Sequence, residues 1–227
     1  MRPPETAAQR QRRLFATGND TDRIVFFSDA VFAIAITLLV LELRVPDIEP
    51  GQSVGSAVLA LWPQYLGYAL SFAIVAVNWV FHHRKFLAIE RFDTRLVWIN
   101  LAFLFFVALV PFPTSLLSEH APDPVAVSLY AGLVVVLGLT ATWLWAYAYR
   151  AGLMGPDVGP ALFRLTAFNN LVVPVVFLLS IPLALMANAE WAMWFWVLSW
   201  PASALGGVLL GRRPADDARA GAHTGPR

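Results

Sequence analysis

A hydroxyl and a carboxylate lie inside an otherwise apolar run of the chain, at Ser28 and Asp29. An ionised side chain within a membrane-spanning segment is costly and normally faces a partner or a water-filled space. Arg23 precedes Asp29 by nearly two helical turns, so we expect the partner of the carboxylate on another helix or subunit. These groups suit either a helix-packing clamp or a cytoplasmic vestibule that attracts cations. We favour the clamp, because the nearby His82 and His83 region can satisfy the buried polar pair.

The same apolar run carries a regular stripe after Asp29. Ile34, Leu38 and Leu41 stand at positions i, i+4 and i+7, and Thr37 flanks them. At about 100° per residue, the three aliphatic side chains share one narrow face that extends over roughly 10 Å of helix. By itself this spacing is typical of ordinary helix packing in an apolar protein.

Enzymatic and metal chemistry find little support in the sequence. The chain contains no cysteine, which excludes disulfides and thiolate metal sites. Adjacent helical residues such as His82 and His83 point about 100° apart, so this pair does not readily chelate one ion. No Ser–His pair, aspartate pair or H-E-x-x-H spacing lies at mid-membrane depth. We therefore expect no catalytic residues, no metal site and no cofactor, and it stays open whether the two histidines sense pH.

Composition places these residues in a lipid bilayer. Of the 227 residues, 58% are hydrophobic and only 14% are charged, whereas a soluble domain has about 25% charged residues. A helix needs about 20 apolar residues to cross the bilayer, and six segments meet this length: 23–43, 59–81, 96–117, 125–148, 164–187 and 191–210. The sequence thus predicts an all-α polytopic membrane protein of residues 21–210, surrounded by lipid. We expect residues 1–20 and 211–227 to be disordered cytoplasmic tails.

Proline residues predict where several of these helices begin or bend. Pro63 and Pro124 suit the first turns of the second and fourth helices, where a missing N–H costs little. Pro111 and Pro113 are predicted to bend or end the third helix. Pro174 and Pro182 are predicted to kink the fifth, which neighbouring helices can tolerate.

The distribution of arginine predicts the orientation. The tails and connections on one side of the predicted bundle carry nearly all basic residues. The other side carries Arg44 alone, together with Asp47, Glu49, Glu119, Asp123 and Glu190. Because basic connections remain in the cytoplasm, this asymmetry requires an even number of helices with both termini cytoplasmic. The arginines separate apolar runs rather than lining one face, so nucleic acid is not an expected partner.

The first apolar helix carries a longer pattern, R-x-x-x-F-S-D, formed by Arg23, Phe27, Ser28 and Asp29 and continued by A-V-F-A-I-A-I-T-L-L-V-L-E-L. This pattern resembles the signature of the prokaryotic TMEM175 family of potassium channels. The resemblance is specific over residues 23–117 and only architectural beyond them. The further positions that carry it are Trp62, Pro63, Tyr68, Ser71, Phe72, Asn78, Trp79, His82, His83, Phe86, Asn100, Leu101, Pro111, Phe112 and Thr114.

The resemblance implies a six-helix subunit and an assembly. Since the chain holds one copy of the motif, it implies a homotetramer in which four first helices line a central pore for K⁺. A bacterial plasma membrane is the expected location. No cofactor and no small-molecule substrate other than permeant cations are expected.

The resemblance also implies roles for particular residues. Ile34 would form the pore constriction, with Leu38 and Leu41 extending the gate outward, and Thr37 would be the polar layer linked to selectivity. The stripe found from periodicity is therefore the same stripe that the family resemblance marks. The residues assigned to the motif and to helix packing are Arg23, Phe27, Ser28, Asp29, His83 and Asn100.

Other function classes remain as alternatives. A proton-permeable channel or a secondary cation transporter would also be an apolar helical protein. Transporters usually show inverted repeats and paired acidic residues at mid-membrane depth, and the sequence shows neither. An intramembrane enzyme is not expected, for the reasons given above.

Overall fold

The computed structural model describes residues 21–44, 46, 48, 50–197 and 199. Within these residues the regular elements are helical, apart from one isolated β-bridge between Ile89 and Met154. The helices are α1 (Thr21–Leu39, extended by a 3₁₀ turn at Val40–Glu42), α2 (Val54–Ala60), α3 (Trp62–Leu87), α4 (Thr94–Ala108), α5 (Pro111–His120), α6 (Pro124–Arg150), α7 (Pro160–Met186) and α8 (Ala189–Trp196).

Five segments of the described chain are long and apolar enough to cross a membrane: Asp22–Glu42, Trp62–Leu87, Thr94–His120, Pro124–Arg150 and Pro160–Met186. They correspond to the first five predicted spans, with ends displaced by a few residues. The predicted sixth span, 191–210, begins within α8, but residues 200–210 lie outside the described residues. The predicted tails, 1–20 and 211–227, lie outside them as well.

Side-chain caps define several helix starts. Asp93 accepts a hydrogen bond from the backbone N–H of Leu96 at the start of α4, at 2.7 Å. Asp123 accepts from Val125 at the start of α6, at 2.8 Å. Each bond satisfies a donor that the first helical turn leaves without an intrahelical partner. These caps therefore help to fix the residue at which each helix begins.

Proline residues mark a helix start or a helix break at several of the predicted positions. Pro63 and Pro124 occupy the first turns of α3 and α6, as predicted. The third span is interrupted between Ala108 and Pro111, so the expected bend or end is confirmed. Pro174 lies inside the continuous helix α7, as does Pro182.

The helices pack as two groups, and we call the group that contains α1 the inner group and the group that contains α7 the outer group. In the inner group, α1 packs against α3, α4 and α5, and its core includes Phe32, Leu39, Val75 and Phe103. In the outer group, α6, α7 and α8 share a second core. Helix α6 also packs against α4 and α5, which joins the two groups.

The loops at the arginine-rich end are paired with each other. Residues 88–93, between α3 and α4, meet residues 151–155, between α6 and α7. Backbone N–H groups of Glu90 and Arg91 donate to the Leu153 carbonyl, and the Arg91 guanidinium donates to the Gly152 carbonyl at 2.6 Å. These two connections therefore meet at one end of the bundle. Their loops and flanking helix ends carry Arg84, Lys85, Arg91, Arg95, Arg150 and Arg164.

Helices α6 and α7 approach closely at one point. A Cβ added to Gly138 would lie 1.9 Å from Cγ of Pro174, which is far inside van der Waals contact. Glycine is therefore required at position 138 for the packing of these two helices. At Gly132, on the same helix, an added Cβ would meet no atom within 4 Å.

We expect Gly138→Ala to destabilise the protein by about 1–3 kcal/mol, because the added methyl group forces α6 and α7 apart. The matched control is Gly132→Ala, which should leave stability unchanged or slightly raised, since it adds a methyl group to open space. Thermal unfolding in detergent, followed by tryptophan fluorescence, measures both. Equal melting temperatures for the two variants would contradict the packing assignment.

Candidate pore-lining helix and its polar contacts

Helix α1 has one face that is fully packed inside the subunit. Ser28, Phe32, Ala35 and Leu39 follow each other at helical spacing, and each is at most 1% exposed. They face α3 and α4, where Val75 and Phe103 belong to the same core. This face attaches α1 to the rest of the subunit.

The opposite face of α1 carries the candidate gate residues. Ile34 is 58% exposed, Leu38 41% and Leu41 70%. Thr37 is exposed on the same side. The spacing of Ile34, Leu38 and Leu41 is also typical of helix packing inside a subunit. Their exposure shows that they do not form the packed face of α1 within this subunit.

The Thr37 hydroxyl has a defined orientation. It donates to the carbonyl of Ile34 in the same helix, at 2.9 Å. A hydroxyl that donates its proton to its own helix keeps its oxygen lone pairs available as acceptors. Thr37 thus presents an oxygen ligand on the exposed face of α1.

A buried chain of hydrogen bonds joins α1 to α4 and α3. Ser28 donates to the carbonyl of Ile24 at 2.8 Å and accepts from the Asn100 amide at 3.0 Å. The Asn100 amide oxygen then lies 2.9 Å from Nε2 of His82. Because the Ser28 proton is already used, Asn100 must donate to Ser28 and accept from His82, and Nε2 of His82 carries a proton. Ser28, Asn100 and His82 are buried.

The two adjacent histidines occupy different environments. His82 is 3% exposed and its ring centroid lies 4.2 Å from that of Phe86 and 5.6 Å from that of Phe103. His83, to which the sequence analysis gave the helix-packing role, is exposed and stacks on Trp79 at 5.9 Å. Within the described subunit, the contact with Asn100 belongs to His82 and not to His83.

Asp29 finds its partner on another helix, as expected for a carboxylate in an apolar segment. Trp79 of α3 donates its indole N–H to Asp29 at 2.8 Å. Arg23 lies at the exposed start of α1, and Phe27 is 53% exposed. The structure therefore brings Ser28 and Asn100 together, whereas Phe27 lies outside this buried contact.

A second buried polar cluster escaped the sequence analysis. The Ser71 hydroxyl lies 2.8 Å from that of Thr114 and 2.9 Å from that of Tyr130. Thr114 donates to the carbonyl of Val110, so Ser71 donates to Thr114 and Tyr130 donates to Ser71. This relay joins α3, α5 and α6. Hydroxyl residues scattered along apolar helices were the available signal, but spacing does not reveal such distant partners.

An ion pair holds the far end of α1. Arg44, just beyond the 3₁₀ turn, contacts Glu119 near the end of α5 at 2.8 Å. Both side chains are partly or largely exposed, so the pair contributes little stability by itself. It does place the end of α1 beside the end of α5, on the side opposite the arginine-rich loops.

Comparison with known proteins identifies the kind of molecule to which this geometry belongs. The sequence model described as endosomal/lysosomal potassium channel TMEM175 matches residues 23–111. A potassium channel from Chamaesiphon minutus is 39% identical over 196 residues, covering 75% of this chain and 97% of the relative. The chain belongs to the TMEM175 family.

A further relative and a solved structure agree. A potassium channel from Streptomyces collinus is 35% identical over 189 residues, covering 78% of this chain and 92% of the relative. The crystal structure of a lysosomal potassium-selective channel TMEM175 homolog from Chamaesiphon minutus has a TM-score of 0.58 and 38% identity. It covers 79% of this chain and 98% of that chain. The recognition of a TMEM175 family member from sequence is confirmed, and membership in an ion-channel family confirms that the chain is not an enzyme.

Removing the Asn100 side chain should weaken the packing of α1 against α3 and α4. Asn100→Ala leaves the buried His82 N–H without an acceptor and the Ser28 hydroxyl without a donor. The free energy of unfolding should fall by about 1–3 kcal/mol for each of these unpaired groups. Asn78→Ala is the matched control, because among the described residues the Asn78 amide donates to a carbonyl of its own helix, that of Ile74, and to no other helix. Thermal melting in detergent should fall clearly for the first variant and little for the second. Similar losses in both would show that the buried chain is not a principal support of α1.

Proposed function

We propose that the chain is a potassium-permeable channel of the TMEM175 type, conducting passively through a central pore. The observation that carries the proposal is the division of α1 into two faces. One face is buried against α3 and α4, while the gate candidates Ile34, Leu38 and Leu41 lie 41–70% exposed on the other. In a family of channels, an apolar helix face left uncovered within the subunit suits the lining of a shared axis.

The proposed assembly is a homotetramer with six spanning helices per subunit. The single motif copy supports four-fold assembly, and α8 supports the sixth helix, since it begins after Met186 with the Asn188 cap already in place. The paired arginine-rich loops support a cytoplasmic location for that end of the bundle. We place the protein in a bacterial plasma membrane with both termini cytoplasmic.

Four Ile34 side chains around the axis would form a narrow apolar neck. Such a constriction stops ions by losing its water, and a modest widening allows water and ions to return. Leu38 and Leu41 extend the same apolar surface along the pore. Gating then consists of small changes in the distance between the four α1 helices, with Ile34 as the main barrier.

Selectivity is assigned to Thr37. Its hydroxyl oxygen, held by donation to the Ile34 carbonyl at 2.9 Å, can accept contacts from a partly hydrated cation. The chain has no T-V-G-Y-G filter sequence, so a backbone carbonyl cage of that kind is not available. We therefore propose modest preference for K⁺ over Na⁺, because K⁺ loses water at lower cost.

Asp29 has a supporting role in this proposal. Its hydrogen bond from Trp79 fixes the arginine-rich end of α1 to α3. Together with Ser28 and Asn100, this contact sets the rotation of α1 and thereby the direction of Ile34. The clamp is preferred to a vestibule role because the carboxylate is engaged by another helix of its own subunit.

Purified protein in planar bilayers under opposed K⁺ and Na⁺ gradients tests the function. We expect stepwise single-channel currents with a reversal potential displaced toward that of K⁺. A proton-permeable channel would instead follow an imposed pH gradient, and a coupled transporter would give no resolvable steps. Either of those results would replace the proposed activity.

Ile34→Asn should raise the single-channel conductance and loosen selectivity, since a hydrated amide replaces the apolar constriction. Each fall of about 1.4 kcal/mol in the permeation barrier raises the flux about ten-fold, so an increase of several-fold is expected. Leu178→Asn is the control, because Leu178 is similarly exposed, at 52%, but lies on α7 in the outer group. Unchanged current and reversal potential in Ile34→Asn would remove Ile34 from the pore.

A further inference from the structure

A shallow groove lies on the outer surface between α4 and α6, near the arginine-rich end of the bundle. It has a volume of about 390 Å³ and is lined by Arg95, Trp98, Ile99, Trp143 and Tyr147. Apart from the arginine and the tyrosine hydroxyl, the lining is apolar. The hydrogen bonds that fix α1, those of Ser28, Asn100 and His82, do not use these side chains.

The two walls of the groove are exposed helix stripes. On α6, Trp143, Tyr147 and Arg150 follow each other at i, i+4 and i+7, which is one face of a helix. On α4, Arg95 and Trp98 are one turn apart. Trp98 is 68% exposed and Trp143 is 56% exposed, so both large rings are uncovered within the subunit.

Each wall ends in an arginine at the same end of the bundle. Arg95 and Arg150 are exposed, and among the described residues neither forms a hydrogen bond or an ion pair. Arg91 differs, because its guanidinium donates to the Gly152 carbonyl. The groove therefore combines an apolar, aromatic floor with two available cations at its rim.

One carboxylate lies close to this rim, and its oxygens are already engaged. Oδ1 of Asp93 accepts from the Leu96 N–H at 2.7 Å, and Oδ2 accepts from the Tyr147 hydroxyl at 2.5 Å. Glu90 is the other nearby acid, and it lies in the loop paired with residues 151–155. With Arg91 and Glu90 included, this end of the groove carries three arginines and two carboxylates, so its net charge remains positive.

We propose that this groove binds an anionic phospholipid of the cytoplasmic leaflet, with its phosphate on Arg95 and Arg150 and an acyl chain along Trp98 and Trp143. Guanidinium groups match the geometry of a phosphate diester. Basic pockets between helices at the cytoplasmic side are suited to anionic headgroups, and tryptophan and tyrosine favour the interface between headgroups and chains.

Charge favours a lipid over a second copy of the chain. The same end of a second copy is also rich in arginine, so it would bring like charges to Arg95 and Arg150, whereas an anionic headgroup neutralises them. The inference uses the proposed orientation only to choose the leaflet. It does not depend on ion conduction, so its test and the bilayer recordings can fail separately.

Tryptophan quenching by brominated lipids tests the site, because bromine quenches an indole that it contacts. The full chain is reconstituted with the same mole fraction of brominated phosphatidylglycerol or brominated phosphatidylcholine. We expect stronger quenching by the anionic lipid. The excess should disappear in Trp98→Phe/Trp143→Phe, which would locate it in the groove.

The arginines are tested in the same assay. Each arginine should contribute about five-fold to the preference for the anionic lipid, so Arg95→Gln/Arg150→Gln should lose nearly all of it and Arg95→Gln alone a part. Arg164→Gln is the matched control, because Arg164 also lies at this end but on α7, where it donates to the Pro160 carbonyl. It should retain the preference.

Three outcomes would overturn the inference. Equal quenching by both lipids would show that the groove does not select an anionic headgroup. An excess that survives Arg95→Gln/Arg150→Gln would place the anionic site elsewhere. Quenching by neither lipid at Trp98 and Trp143 would show that another subunit covers the groove.

Discussion

The buried chain from Ser28 through Asn100 to His82 determines how α1 is turned in the bundle. Apolar contacts alone do not fix this rotation, because Ile34 is as suitable for burial as Phe32. A shift by one residue rotates a helix by about 100°. In an apolar interior, such a shift would leave Ser28, Asn100 and His82 without partners, and unpaired buried polar groups are expensive. The polar contact therefore selects which apolar face of α1 lies inside and leaves Ile34, Leu38 and Leu41 outside.

Hydropathy and proline were sufficient to predict most of the framework. The length of an apolar run predicts a span because the bilayer has a nearly fixed thickness, and the first five runs correspond to helical segments that are long and apolar enough to cross it. Pro111 predicted the break in the third span for a local reason, since proline cannot donate to the preceding turn. The prediction that Asp29 has a partner on another helix followed from one physical fact, the high free-energy cost of an isolated carboxylate in lipid.

The identity of the partners could not be predicted in the same way. His82 and His83 are adjacent, and which of them meets Asn100 depends on how α3 is rotated against α4. That rotation results from packing along the whole helix pair. Tyr130 presents the same difficulty, because its partner Ser71 is 59 residues away. Helical spacing in the sequence shows which residues share one face of their helix. It does not show which other helix packs against that face.

Helix α4 connects the two parts of the molecule that matter for function. Through Asn100 it holds α1 in the rotation that exposes Ile34, and through Trp98 it forms one wall of the groove against α6. A single helix, α4, thus separates the proposed lipid groove from the face of α1 that we propose lines the pore. Because close-packed cores transmit displacement rather than absorb it, a lipid bound between α4 and α6 as proposed would act on the helix that supports α1. The proposed groove and the proposed gate would then be mechanically linked through α4.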